Sequence, residues 1–119
     1  MLSLPPSLRI SLCTIPADLR KSFDGLAALV RDALGADPLS GQLFVFRNKR
    51  GDRVKLLYWD EDGFVIYYKR LEEGLFHFPV AADGDNGVTI RAADLAMLID
   101  GVDLQSVKRR KRYRRPAAT

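Results

Sequence analysis

Three strand-like runs follow one another in "QLFVFR", "RVKLLYW" and "FVIYYKRL", separated only by "NKRGD" and "DEDG". Spacers this short make each run fold back on its predecessor, so two antiparallel hairpins are predicted. Gly51 is available for positive φ in the first turn, and Gly63 closes the second. In the second run Val54, Leu56 and Tyr58 alternate onto one face. "LFHFPV" is expected as a fourth strand, with Phe76 and Phe78 on one face and Pro79 ending the run or marking an edge.

Before these runs, "LRISLCTI" has the composition of a strand near residues 8–14. "ADLRKSFDGLAALVRDALG" then predicts a long amphipathic helix. Leu19, Phe23, Leu26, Ala27, Val30, Ala33 and Leu34 recur at three- and four-residue steps. Pro16 and Asp18 suit its first turn, and Gly35 and Pro38 its end. Gly25 costs such a helix about 1 kcal/mol against alanine, which suggests close packing or a slight bend. After a polar loop, "VTI" reads as a short strand and "RAADLAMLIDG" as a short helix. The expected fold is α+β: a small antiparallel meander sheet packed by one long amphipathic helix, with a short C-terminal helix and a disordered basic tail. The expected organisation is one domain over 1–107 and a flexible tail over 108–119.

Charge separates these two parts. Seven of the 19 Lys and Arg residues lie in 108–115, so the other 12 are outnumbered by the 15 Asp and Glu, and residues 1–107 carry about −3. The tail cations are Lys108, Arg109, Arg110, Lys111, Arg112, Arg114 and Arg115. Such a run has no apolar stripe, repels itself and finds its natural counter-surface in nucleic-acid phosphates. A second basic group surrounds the first hairpin turn: Arg47, Lys49, Arg50, Arg53 and Lys55, with Lys69 and Arg70 at the end of the third run. In a meander these would form one positive rim able to hold phosphate, or else a solvated turn with scattered ion pairs.

Chemistry that would mark an enzyme is missing from the pattern. The sole histidine, His77, alternates with Phe76 and Phe78 and reads as a surface residue. One His and one Cys are too few for the usual zinc sites, and no phosphate-binding glycine motif or nucleophile elbow occurs. Asp60, Glu61 and Asp62 could suggest metal-dependent cleavage, but acidic residues with glycine are what a tight turn requires. The prediction is a non-enzyme with no cofactor and no metal. Cys13 lies in an apolar run and reads as a buried, inert thiol in a reducing compartment. No apolar run is long enough to span a bilayer, and "MLSLPPSLR" lacks a positive n-region, so a cytoplasmic location is expected.

The segments "DLRKSFDGLAALV", "LFVFRNKRGDRVKLLYWDEDGFVIYYKRLEEGLF" and "DLAMLIDGVDL" resemble the small TnpB-type, Orf-two-like accessory proteins of the bacterial insertion sequence family sixty-six. The resemblance runs from about Leu8 to Leu104. It implies a role in DNA transposition beside a separate, larger transposase, with DNA and that transposase as partners. No site residues come with it. Within the matched segments, Arg20, Lys21, Trp59 and Tyr67 are the candidates for partner docking, and the hairpin cations are the candidates for phosphate contact. An adaptor that docks on the transposase without touching DNA is the alternative.

Overall fold

The computed structural model describes residues 7–81 and 84–100. Strand β1 (Ile10–Cys13) leads through helix α1 (Phe23–Leu34) to strand β2 (Leu43–Arg47), which lies parallel to β1, with Ile10 opposite Leu43. Strands β3 (Arg53–Asp60) and β4 (Gly63–Arg70) follow as antiparallel hairpins. Strand β5 (Gly87–Ile90) pairs antiparallel with the free side of β1, and helix α2 (Ala92–Ile99) completes the described chain. The sheet order is β4-β3-β2-β1-β5.

This corrects the expected antiparallel meander packed by one long helix. The sheet is mixed, because α1 carries the chain back to the end where β1 began, and a strand entered through such a crossover runs parallel. The helix is shorter than its apolar spacing suggested. Asp18 accepts hydrogen bonds from the Arg20 backbone N–H and from its guanidinium, a local turn that competes with helix formation. Asp18, Arg20 and Lys21 therefore precede α1. At its other end Gly35 adopts φ 59°, and the Ala36 N–H donates to the Val30 carbonyl, as the sequence led one to expect. "LFHFPV" is not a strand. Its Phe76 N–H donates to the Gly51 carbonyl at 2.7 Å, and the Phe76 ring is buried, so the segment folds over the first hairpin turn instead of extending the sheet.

Both sheet faces are covered. On one, α1 contributes Leu26, Ala27 and Val30 against Phe44, Phe46 and Leu57. On the other, Leu95 and Leu98 of α2, with Phe76, pack against Ile10, Leu12, Leu43, Val45, Val54 and Leu56. Adjacent strand residues thus alternate between two apolar layers, which accounts for the nearly continuous burial of β2.

Candidate nucleic-acid interface

Strand alternation sorts the hairpin cations between the two faces. Arg53 and Lys55 share the α1 face with Leu57 and Trp59, and opposite them on β4 lie Arg70, Tyr68, Ile66 and Phe64. Arg53 stands directly across from Arg70, and Lys55 across from Tyr68. Like charges paired across strands destabilise a sheet. The arrangement therefore costs stability and concentrates positive charge at one end of the hairpin.

Tyr68 organises this cluster. Arg53 Nη1 donates to the Tyr68 hydroxyl oxygen at 3.1 Å. This hydrogen bond, with a smaller contribution from Asp52, holds the guanidinium above its usual pKa. Lys55 Nζ sits 4.7 Å from the centre of the Tyr68 ring and donates to the Lys21 carbonyl at 2.9 Å. Lys55 is only 8% exposed, so it serves as a buried support beneath the tyrosine. Arg70 donates through Nε and Nη2 to Glu72 Oε1, an exposed pair of the kind worth little in water. Arg53, Tyr68, Arg70 and Glu72 line a shallow depression of about 310 Å³. A second hollow of about 470 Å³ shares Arg53 and Tyr68 with it and extends past Asn48 to Arg20.

The "NKRGD" turn is fixed from within by Asn48. Its Oδ1 accepts the Gly51 and Arg53 N–H groups, both at 3.0 Å, and its Nδ2 donates to Asp52 Oδ1. That amide contact is the main cause of the lowered Asp52 pKa, ahead of Arg50 and Arg53. Gly51 has φ 87°, the left-handed region that favours glycine. Lys49 and Arg50 are exposed at the tip, with Arg50 3.9 Å from Asp52.

The remaining expected cations lie elsewhere. Arg47 is on the α2 side, donating to the Thr14 carbonyl at 3.2 Å with its guanidinium 5.5 Å from the Phe78 ring centre. Lys69, also facing α2, donates to the Ile99 carbonyl at 3.1 Å. Hence the seven hairpin cations do not form one rim: three gather about Tyr68, two stand at the tip and two face the opposite layer. Lys108, Arg109, Arg110, Lys111, Arg112, Arg114 and Arg115 lie outside the described residues, as does the expected tail.

The residues expected to dock a partner are also divided. Arg20 is exposed and bound to Asp18, whose carboxyl it draws down to about 2. Lys21 is exposed beside it. Trp59 is half-buried, edge-to-face with Phe64 at 5.0 Å. Tyr67 packs on the other face, against the layer that includes Leu95. Sequence reasoning passed over Asn48 and the organising role of Tyr68. Tyr68 carried a usable signal, since it lies two residues before Arg70 and so on the same face.

Among the described residues no group of three or more His, Cys, Asp or Glu could hold a metal ion. His77 is exposed. Glu61 and Asp62 form the tip of the second hairpin, with the Asp62 N–H donating to the Asp60 carbonyl and Glu61 at φ 52°. Burial raises the pKa of the Cys13 thiol. Among the described residues no helix is long and apolar enough to cross a membrane.

Comparison with known proteins places this arrangement in a family context. The family model described as IS66 Orf2 like protein matches residues 8–109. Two proteins of Sinorhizobium fredii are similar over most of their length. Uncharacterized protein y4jC is 44% identical over 109 residues, covering 92% of this chain and 91% of that protein. Uncharacterized protein y4hO is 36% identical over 103 residues, covering 87% and 88% respectively. No solved structure matches.

Proposed function

Because the chain belongs to the IS66 Orf2-like family, we propose that it is a non-catalytic accessory protein of a bacterial insertion sequence. It assists transposition by a separate transposase, and it does so by holding DNA phosphates. The observation that carries the DNA reading is the Arg53–Tyr68–Arg70 cluster. Two guanidiniums face each other across the ladder, and one is bound to a neutral hydroxyl instead of a carboxylate. Guanidinium groups suit phosphate because their N–H donors form two parallel bonds to its oxygens. The Tyr68 oxygen accepts from Arg53, which leaves its own O–H to donate outward to a phosphate. Lys49 and Arg50 extend the positive surface along the same end of the hairpin.

Such contacts position a duplex without reading its sequence. They suit a protein that keeps DNA in place while another subunit cuts and joins. A transposition assay tests both parts of the proposal. Replacing Arg53 and Arg70 together by glutamate is expected to abolish transposition while the circular dichroism spectrum stays native. Replacing His77 by alanine is expected to leave transposition at the wild-type level. Wild-type transposition in the double glutamate variant would contradict the phosphate reading, and loss of transposition in the His77→Ala protein would contradict the non-catalytic one.

A further inference from the structure

The sheet ends in two very different edges. β5 spans only four residues, and very short edge strands are one way proteins prevent unwanted pairing. β4 runs for eight residues, Gly63–Arg70, without proline, and five of its central residues are apolar or aromatic. The hydrogen-bond pattern determines which of its groups face outward. The Leu71 N–H donates to the Asp52 carbonyl across the β3–β4 ladder. In an antiparallel ladder inward-bonding residues alternate with outward-facing ones. Phe64, Ile66, Tyr68 and Arg70 therefore turn their backbone N–H and C=O groups to the open side. Among the described residues no strand pairs with that side.

The charges along this edge are arranged end to end. Glu61 and Asp62 precede the strand, and Lys69 and Arg70 finish it. A second copy running antiparallel brings the acidic end of one strand to the basic end of the other, whereas a parallel copy opposes like charges. Outward-facing residues must meet outward-facing residues, which restricts the possible registers. The register centred on Ile66 pairs the whole strand: Ile66 meets Ile66 of the second copy, Phe64 meets Tyr68 and Asp62 meets Arg70. Aromatic and opposite-charge pairs of this kind are the stabilising contacts of a sheet.

We propose that the β4 edge is a self-association surface on which two copies of this chain pair antiparallel about a two-fold axis at Ile66, joining their sheets. This surface shares Tyr68 and Arg70 with the proposed phosphate cluster, but it is tested without DNA, so its failure is distinguishable from the failure of the DNA reading. Sedimentation velocity on the full chain is expected to show a dimer. Ile66→Cys is expected to be joined efficiently into dimers by a short bis-maleimide, while Thr89→Cys on the β5 edge is not. Asp62→Arg is expected to weaken the dimer about tenfold by exchanging two attractive exposed pairs for two repulsive ones. Adding Arg70→Asp to that variant is expected to restore the dimer, a rescue that a merely misfolded variant would not show.

A monomer at every concentration reached, no preference of Ile66→Cys over Thr89→Cys, or no rescue in the charge swap would overturn the proposal. So would a monomeric chain whose β4 edge is taken by a strand of a different protein.

Discussion

Lys55 illustrates how much of the candidate interface depends on single contacts. Its ammonium is withdrawn from water, and what compensates it is the Lys21 carbonyl on one side and the Tyr68 ring on the other. Lys21 in turn lies close against Gly25 in the first turn of α1. A Cβ added to Gly25 would lie 2.9 Å from Lys21 Cβ and 3.0 Å from its Cγ. Alanine in a helix interior usually gains about 1 kcal/mol over glycine. Gly25→Ala is expected to do the reverse here, lowering the thermal midpoint, because Lys21 must shift and release Lys55. A raised midpoint would show that Lys21 moves freely and that the Lys55 contact carries little. The close packing at Gly25 was legible in the sequence as a glycine where a helix wants alanine. The burial of Lys55 was not: a lysine between Val54 and Leu56 reads as an outward-facing charge until the opposite face is seen to be covered as well.

The elements themselves were largely visible, and their arrangement was not. The hairpins β2–β3 and β3–β4 were determined by two spacers too short for anything else, and the apolar stripe and Gly35 located α1. The parallel pairing of β1 with β2, and β5 as the far edge, depend on contacts between residues remote in sequence, which local periodicity does not encode. "LFHFPV" misled for a related reason: its alternation serves one buried ring, Phe76, docked on a turn. Lys69 connects two elements, since its ammonium bonds the carbonyl of Ile99 at the end of α2, where the helix dipole is negative. Lys69→Ala is expected to cost about 1 kcal/mol and to speed amide hydrogen exchange at Leu98 and Ile99 while leaving β3 protected. Unchanged exchange in α2 would mean that the helix end is held by its apolar contacts alone.

At the scale of the whole molecule, the proposed phosphate cluster and the proposed pairing edge meet on β4. Two copies paired through β4 would place both Arg53–Tyr68–Arg70 clusters on the same side of a joined sheet. Arg70 of one copy stands opposite Asp62 of the other, so the two Arg70 positions are about 27 Å apart along the strands at 3.4 Å per residue. A helical turn of duplex DNA is about 34 Å, so the spacing is of the order that one face of a duplex offers. The sequence located the charge but not its division between faces, because a count of Lys and Arg contains no register.

The salt dependence of duplex binding tests the phosphate claim most directly. Fluorescence anisotropy over a series of salt concentrations gives a slope proportional to the number of phosphates engaged, about −0.9 for each. The full chain is compared with Arg53→Ala/Arg70→Ala and with a form lacking 108–119. The expected result is a slope shallower by about two for each chain in the complex for the double variant, with weaker binding at every salt concentration, and a separate loss in the truncated form. A double variant that binds with the wild-type slope and affinity would contradict the account.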